Sequence, residues 1–299
     1  MEGRKWEEMN MDCLVNVFGR VGIESLLLDV PFVCKSWYKA TLSPLCWQTL
    51  VFPSMSHFDS FTHRVLMWVY ETKCKGDEEV EYQVFTPLHV TRFVKFVVNR
   101  SCRSATTVVL PSYHLTEDAL EYVAEECPNI RTLMVPYEFP VCGLPIPHRP
   151  FFAHFCKIPN LVSNWKNLKH LSLAVSLRLK ELFTEISVHC KNFESLAIPD
   201  AFISKDEVLA IVNLLPNIKY LDMRKASIQK EHLVKILHGC KELVHFDVSD
   251  CFGFDAEDDE ILKLASHIRT FECQGSIFVD LEVMEELAAY HAMSQHFLL

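Results

Sequence analysis

Glycine, positive charge and long apolar runs are all scarce in this chain of 299 residues. Its 8 glycines leave little room for a glycine-rich phosphate loop, and the sequence contains no such loop. The 29 basic residues stand against 39 acidic ones, and the net charge of -10 argues against a broad nucleic-acid or anionic-membrane surface. No segment approaches the roughly eighteen continuous apolar residues that a membrane span requires.

Cysteine pairs and a secretory leader are missing as well. The first ten residues, MEGRKWEEMN, contain no apolar run. The 12 cysteines include no CxxC pair and the 14 histidines are scattered, so the sequence predicts neither disulfides nor a metal site. We therefore expect free thiols, no cofactor, and a cytoplasmic and/or nuclear protein that contacts neither nucleic acid nor membrane.

Two segments resemble a catalytic triad and a calcium-binding loop in composition, but their spacing does not fit either site. The residues His245, Asp247 and Ser249 have the composition of a hydrolytic triad. On one strand they would lie about 6.5 to 7 Å apart, with no nucleophile elbow or oxyanion hole. The acidic run at 255–260 lacks the glycine of a calcium loop and instead predicts a helix N-terminus, which favours negative charge. The sequence predicts a protein that is not an enzyme.

The first fifty residues form a compact helical stretch on which the prediction of function depends. Apolar residues recur at offsets of three and four between Met9 and Phe18, which predicts a helix ending at Gly22. Pro31 predicts the first turn of a helix that carries Trp37, and Ser43-Pro44 predicts a last turn that reaches Trp47. So few residues bury little surface, and the remaining aliphatic surface favours a partner.

This stretch resembles the F-box, the adaptor-binding motif of Skp-cullin-F-box ubiquitin ligases. The resemblance rests on the acidic-apolar run of the first helix, a paired leucine and a later Val-Cys-Lys-Ser-Trp-Tyr segment, which are Asp12, Leu14, Val17, Phe18, Leu27-Leu28, residues 33–38 and Trp47. Where the family usually opens with Leu-Pro, this chain has Met9-Asn10. Methionine can replace leucine in a pocket, whereas asparagine does not fix the backbone as proline does.

The resemblance implies a set of residues that contact a Skp-type adaptor. They are Met9, Asn10, Leu14, Val17, Phe18, Leu27, Leu28, Val33, Cys34 and Trp37.

A second pattern, an internal repeat, governs the rest of the chain. A unit of two apolar residues separated by one other residue occurs seven times, and five of the six spacings between units are 25 residues. The units are Val108/Leu110, Leu133/Val135, Leu171/Leu173, Leu196/Ile198, Leu221/Met223, Phe246/Val248 and Phe271/Cys273. A helical stretch precedes most units, and one strand plus one helix cannot bury its own apolar face, so neighbouring units must stack into a solenoid.

Four cysteines share one position in this repeat, six residues before the first apolar residue of a strand, and we expect a common role in the core for Cys102, Cys127, Cys190 and Cys240. The pattern resembles the cysteine-containing leucine-rich repeat that often follows an F-box. The predicted fold class is α/β: a three-helix F-box at 1–48, followed at 49–299 by a curved leucine-rich-repeat solenoid with parallel strands on its concave face.

Two insertions and a cap complete the predicted solenoid. The insertions lie near 55–87 and near 136–150; the second contains the 13 extra residues of the one 38-residue spacing. It either reaches over the concave face to contact a ligand or is only a tolerated excursion. A helix near 280–296 is predicted to cap the last repeat.

Strand alternation predicts which side chains face outward on the concave side. On the later strands a mixed polar patch combines residue types that are often decisive in interfaces, and it gives the predicted substrate-binding residues Tyr220, Asp222, Arg224, His245, Asp247 and Glu272. The alternative is an ordinary hydrated sheet face. A basic or peptide-like target suits the acids better than an anion.

Together the resemblances imply a non-catalytic substrate receptor of a Skp-cullin-F-box ubiquitin ligase. The F-box would bind the Skp-type adaptor, and through it a cullin ligase, while the repeats would hold an unknown protein substrate. Two alternatives stay open. One is an F-box receptor that senses a small molecule, against which stand the small number of repeats and the absence of a basic, aromatic pocket. The other is a leucine-rich-repeat scaffold outside a ligase, which Asn10 keeps open.

Overall fold

The structure is a computed structural model, and it describes residues 6, 9–53, 87–111, 115–136, 157–173 and 178–279. The chain divides into two compact units, Met1–Ile130 and Arg131–Leu299. The predicted insertions near 55–87 and 136–150, apart from their border residues, and the predicted cap near 280–296 lie outside the described residues. The predicted domain boundary between residues 48 and 49 separates the F-box stretch from the repeats. It is a different division from that of the two compact units, and it stays a prediction.

Unit 1 opens with short helices separated by tight turns. Helix α1 spans Met11–Phe18 and helix α2 spans Ile23–Leu28. A 3₁₀ turn at Val30–Phe32 leads to helix α3 at Lys35–Thr41, and a second 3₁₀ turn follows at Pro44–Trp47. Leu14, Phe18, Ile23, Leu26 and Trp47 are buried, so these helices share a core in spite of their length.

Two of the helix boundaries differ from the sequence prediction. Helix α1 ends at Phe18 rather than at Gly22, because the amide of Gly19 already bonds back to the carbonyls of Val15 and Val17. Gly22 instead precedes α2 as its N-cap. Pro31 lies in the 3₁₀ turn rather than in α3, because Cys34 adopts an extended backbone that starts the helix afresh at Lys35.

The second half of unit 1 pairs two strands and two helices. Strand β1 spans Thr49–Val51 and is parallel to β2 at Thr107–Val109, with Leu50 opposite Val108. Helix α4 spans Pro87–Arg100, and helix α5 spans Glu117–Glu126. The two helices pack together, with Lys95 of α4 bound to Asp118 of α5 at 2.9 Å.

Unit 2 repeats a strand-turn-helix pattern. Among its described residues the strands are β3 Thr132–Val135, β4 His170–Leu173, β5 Ser195–Ala197, β6 Phe202–Ile203, β7 Tyr220–Asp222, β8 Ser227–Ile228, β9 His245–Asp247 and β10 Thr270–Glu272. The helices are α6 Ile158–Leu161, α7 Leu179–His189, α8 Lys205–Leu214, α9 Lys230–Gly239 and α10 Asp259–Ala265. As predicted from the acidic run at 255–260, α10 begins there, with Asp258 accepting the amides of Glu260 and Ile261.

The predicted 25-residue register is confirmed in unit 2. The strands pair in parallel in the order β3-β4-β5-β7-β9-β10, and the short strands β6 and β8 pair with each other. From β5 onward each residue lies opposite the one 25 positions later, as Leu196 lies opposite Leu221 and Leu221 opposite Phe246. These side chains are at most 1% exposed, so the apolar pairs face the core as alternation predicts. The chain therefore adopts an α/β fold of the leucine-rich-repeat type.

A left-handed residue follows the strand in four successive repeats, again at intervals of 25. The φ angles are 57° at Asp200, 59° at Lys225, 57° at Asp250 and 78° at Gly275. The amides of the first three each donate to the carbonyl of the residue just before the left-handed residue of the next repeat, so the turns are linked along the stack. These acceptors are Arg224, Ser249 and Gln274. This conformation is uncommon for a residue with a Cβ, and only the last position carries the glycine that adopts it freely.

The prediction of a common role for four cysteines holds for three of them. Cys127, Cys190 and Cys240 are buried at the C-terminal ends of their helices, and burial raises the pKa of the Cys127 thiol to about 12. Cys102 is exposed, so the prediction is wrong there. Helix α4 ends at Arg100, so the turn is one residue longer, and Ser101 takes the buried place while Cys102 turns outward with φ 44°.

Candidate functional site

At the start of α1, Asn10 takes the position of the usual proline and has a backbone conformation that proline would also adopt. Asn10 adopts φ -55° and ψ 142°, within the range that proline would fix. Its side-chain oxygen accepts a hydrogen bond from the amide of Asp12 at 2.9 Å, and so caps the helix. Asn10 is exposed and Met9 is half-buried, which leaves both able to contact a partner.

Aromatic side chains fix the N-terminal helices to one another. Trp37 packs edge-on against Phe18, with ring centroids 5.1 Å apart. The indole of the buried Trp47 donates to the carbonyl of Thr41 at 2.7 Å. Cys46 is buried beneath, where burial raises its pKa to about 11. A neutral thiol donating to the carbonyl of Ala40 is therefore a packing group rather than a nucleophile.

The sequence-predicted adaptor residues occupy three different environments. Val17 and Val33 are exposed, at 45% and 59%. Leu14 and Phe18 lie in the core, where they hold the helices that present the others. Asn10 is exposed as well, and the remaining members are half-buried side chains, namely Met9, Leu27, Leu28, Cys34 and Trp37. Their contact with an adaptor stays a prediction.

Several further apolar residues of these helices and turns are exposed, beyond those predicted from the sequence. Phe32, Leu42 and Leu45 are 60%, 45% and 56% exposed, and Tyr38 is 51% exposed. With Val17 and Val33 they are defined here as the apolar set of unit 1. The available signal was Leu42, which follows Tyr38 by four residues and so shares its helix face. This much exposed apolar area in a small helical segment is typical of an interaction site.

In unit 2 the predicted substrate residues line up across neighbouring strands. Tyr220 of β7 lies opposite His245 of β9, and the carboxylates of Asp222, Asp247 and Glu272 follow one another in register. Like charges opposite each other on a sheet are destabilising, so this ladder of three carboxylates needs a cation. We call the outward side of these strands the sheet face.

Arg224 supplies that cation. Its Nε and Nη2 donate to the two oxygens of Asp222 at 3.0 and 2.8 Å, and its Nε lies 3.4 Å from Asp247 Oδ2. The hydrogen bond and charge of Asp222, followed by the charges of Asp247 and Glu272, raise the pKa of Arg224. One arginine against three carboxylates leaves the ladder negative, which favours a basic ligand.

Asp247 points outward, as alternation predicts, but it is only 7% exposed. Its Oδ1 accepts both the amide of Ser249 at 2.9 Å and the Ser249 hydroxyl at 2.7 Å, while Arg224 covers Oδ2. The Ser249 hydroxyl therefore donates to a carboxylate and not to His245, which is not the order of a hydrolytic triad. Asp247 therefore holds Ser249 and Arg224 in place and offers little surface of its own to a ligand.

A shallow depression of about 340 Å³ opens on the sheet face beside the ladder. His170, Tyr220 and His245 line it, together with the small side chains of Ser195 and Ala197. The structure thus brings Tyr220, Asp222 and His245 together at one depression. Ala197 was not among the predicted site residues, and the available signal was a small side chain at a strand position where a neighbouring strand carries the larger Asp222.

The described residues contain neither a metal-binding cluster nor a membrane-spanning helix. No group of three or more histidine, cysteine or acidic side chains in that part of the chain is arranged to hold a metal ion. None of the described helices is both long and apolar enough to cross a membrane.

Comparisons with known proteins give the family. No family model matches the chain. It is 30% identical over 250 residues to an F-box/LRR-repeat protein of Arabidopsis thaliana, an alignment that covers 82% of this chain and 72% of that protein. It is 22% identical to the F-box protein FBW2 and 21% identical to the F-box protein SKIP1 of the same plant, covering 86% of this chain in both cases and 71% and 82% of those proteins. The chain therefore belongs to the F-box/leucine-rich-repeat protein family.

Proposed function

We propose that this chain is the substrate-recognition subunit of a Skp-cullin-F-box ubiquitin ligase. Its N-terminal helices bind a Skp-type adaptor, which joins it to a cullin, and its repeats hold a protein for ubiquitination by other subunits. The chain then contributes proximity rather than chemistry, by keeping a substrate lysine near a bound conjugating enzyme.

The apolar set of unit 1 is the observation that carries this proposal. Phe32, Val33 and Leu45 are each more than half exposed, on helices whose core is already closed by Trp47 and Phe18. Transfer of such side chains from water contributes roughly 25 cal/mol per Å² of apolar area, so a partner that covers them gains binding energy. The membership of the F-box family supports an adaptor as that partner.

A matched pair of substitutions tests adaptor binding. Val33→Asp places a charge in the proposed interface, whereas Val188→Asp does the same on helix α7, where Val188 is 53% exposed. A buried, unpaired carboxylate is strongly unfavourable, so we expect Val33→Asp to weaken binding of a Skp-type adaptor at least tenfold and Val188→Asp to leave it unchanged. Surface plasmon resonance with the full chain measures both, and circular dichroism checks that both variants fold.

Equal binding by the two variants would remove the N-terminal helices from the interface. If the native chain fails to bind the adaptor while the double variant Met9→Leu, Asn10→Pro binds it, the chain is a scaffold outside a ligase. The φ of Asn10 accommodates proline, so this variant keeps the backbone of the helix start.

For the repeats, we propose that the sheet face captures a basic or peptide-like segment of the target. The exposed side chain of Tyr220 offers a target contact area at the depression. The carboxylates of Asp222 and Glu272 attract positively charged groups of the target. Arg224 is held by Asp222 and Asp247, so it orders the site instead of binding the target.

Proximity labelling under proteasome inhibition tests this site. We expect Tyr220→Ala combined with His245→Ala to lose the labelled targets of the native chain and to keep adaptor binding. His267→Ala, at an exposed histidine of unit 2 away from the strands, is the control. Arg224 is left intact because its removal would leave the three carboxylates without a cation. An unchanged set of targets would place recognition elsewhere in the chain.

A further inference from the structure

The sheet face of unit 2 has charges of opposite sign at its two ends. The carboxylate ladder lies where its strands end. At the other end, the residue just before the strand is basic in four of the six strands that unit 2 contributes to the larger sheet, namely Arg131, Lys169, Lys219 and Arg269. Parallel strands in register place this position of every repeat at one edge of the sheet, so the cations and the ladder lie at opposite edges.

Two of these cations surround the carboxylate of Glu194. Nζ of Lys219 lies 3.5 Å from Glu194 Oε2, and Nζ of Lys169 lies 4.0 Å from Glu194 Oε1. The imidazole Nε2 of His170 lies 3.7 Å from the same Oε1. We call these four residues the basic cluster. Two lysines against one carboxylate leave the cluster positive, and the ion pairs hold that charge beside His170.

The depression of about 340 Å³ lies between the basic cluster and the ladder, because His170 of the cluster and Asp222 of the ladder both line it. Between these two charged borders, Tyr220 is 42% exposed and offers its ring to an apolar side chain. An α-helix with its side chains is about 10 to 12 Å wide, which is too wide for a shallow depression of this volume. An extended segment that inserts one side chain fits it better.

The separation of the two charged borders matches an extended segment. Lys219 precedes Asp222 by three residues of the same strand, which is about 10 Å. Lys169 lies two strands to the side, which adds about 10 Å across the sheet and gives a diagonal of about 14 Å to Asp222. In an extended peptide the first, third and fifth side chains point to one side, and the outer two are about 13 Å apart.

We propose that the sheet face captures a bipolar extended segment of the target, with an acidic, an apolar and a basic residue at alternate positions. The acidic residue contacts the lysines of the basic cluster, the apolar residue enters the depression beside Tyr220, and the basic residue contacts the ladder at Asp222. This inference rests on the proposed function, whose target it specifies. It adds the acidic residue that a purely basic segment lacks.

A purely basic segment is the alternative, and electrostatics separates the two. The net charge of -10 attracts any basic peptide to the chain as a whole. At the basic cluster, however, a lysine of the ligand would face Lys169 and Lys219, and like charges repel across an interface. A preference for a bipolar peptide over a more basic one therefore cannot arise from the overall charge and reports on the cluster itself.

Three peptides with acetylated and amidated ends serve as probes for the full-length chain. They are Asp-Thr-Leu-Thr-Lys, Lys-Thr-Leu-Thr-Lys and Asp-Thr-Leu-Thr-Asp. We expect isothermal titration calorimetry at about 0.15 M salt, where the Debye length is about 8 Å, to detect saturable 1:1 binding of the bipolar peptide. The other two peptides should bind at least about tenfold more weakly, because each places a like charge at one end of the site.

A charge reversal provides the second arm. Lys219→Glu should weaken binding of the bipolar peptide at least about tenfold and make Lys-Thr-Leu-Thr-Lys the tighter ligand, because the cluster then becomes negative. Lys235→Glu makes the same change in net charge at an exposed position of helix α9 and should leave the order of affinities unchanged. The reversed preference also shows that the Lys219→Glu variant is folded, since an unfolded chain would bind none of the peptides at a defined site.

The inference is overturned if the bipolar peptide shows no saturable binding, if Lys-Thr-Leu-Thr-Lys binds the native chain as tightly, or if the two charge reversals have equal effects. Tight binding of Lys-Thr-Leu-Thr-Lys would leave the proposed function intact, because capture of a basic segment satisfies it. Failure of the proposed target site appears separately, as an unchanged set of labelled targets in the variant that combines Tyr220→Ala with His245→Ala.

Discussion

His232 is a partly buried titratable group at the first turn of helix α9. Its ring Nδ1 is shielded from solvent and has no hydrogen-bond partner. Burial lowers the pKa of this histidine, against the raising effects of the Ile203 backbone and of Glu231 and Glu207, while Lys235 lowers it further. The folded chain therefore favours the neutral imidazole over the protonated one.

The stability of the chain should consequently fall at mildly acidic pH. Because the folded pKa lies below the ordinary value of about 6.5, the unfolded chain binds more protons between these two pKa values. The free energy of unfolding then decreases as pH falls from 7 through that window. In urea melts at pH 7.5 and 5.5, His232→Gln should show a smaller decrease than the native chain. His238→Gln, at an exposed position of the same helix, should behave like the native chain.

The burial of a residue could be predicted from the sequence where the 25-residue period is kept. It could not be predicted where a turn contains one additional residue. Cys127, Cys190 and Cys240 are buried as expected, but Cys102 is exposed because the turn after α4 is one residue longer. Similarly, alternation predicted the direction of Asp247 but not its burial, to which Arg224 contributes from the turn after the neighbouring strand β7. Neither fact is encoded within a single repeat.

Helices α8 and α9 approach closely at Gly239. A Cβ atom at this position would lie 2.3 Å from Cγ1 of Val212, well inside van der Waals contact. Valine is stiff because it is branched at Cβ, so it cannot rotate away freely. The glycine thus sets the distance between two neighbouring repeats.

Gly239→Ala should therefore destabilise unit 2 although alanine is the better helix former. The intrinsic gain is at most about 1 kcal/mol, and overpacking typically costs about 1 to 3 kcal/mol. We expect a net loss of about 1 kcal/mol in the free energy of unfolding from urea melts. The double variant with Val212→Ala should lose less than the sum of the two single variants, because it removes the clash. Additive losses would show that the helices simply move apart.

At the scale of elements, the sequence predicted the strands better than the helix ends. Each strand is located by two inward apolar residues, and parallel pairing requires that they recur in register. A helix end depends instead on local hydrogen bonds such as that of Gly19 to Val15, or on a single extended residue such as Cys34. These alternatives differ by little energy, and apolar periodicity does not distinguish them.

For the molecule as a whole, the repeat implies that stability is carried between neighbours. Each repeat of unit 2 contacts the next through one strand pair and one helix pair, as β5 meets β7 and α8 meets α9. A stack of this kind tolerates the loss of a complete period, because the flanking surfaces are equivalent.

Deletion of residues 216–240 removes one complete period and should leave a folded chain with a lower midpoint of thermal unfolding. Deletion of residues 216–228 removes β7 and β8 without α9, breaks the register, and should abolish the cooperative transition. Circular dichroism melts of both variants make the comparison. Similar behaviour of the two deletions would mean that the 25-residue period is not the unit of stability.

The sequence by itself determined the F-box resemblance, the 25-residue period and the side of each strand that faces the core, because all three are patterns of nearby residues. Tertiary structure alone decided which carboxylates Arg224 neutralises, how deeply Asp247 is buried, and that Arg100 lies against the rings of both Trp47 and Phe96. These depend on contacts between residues that lie tens of positions apart, where no local pattern carries the information. The physical reason is that burial and charge pairing are properties of the assembled fold and not of its separate elements.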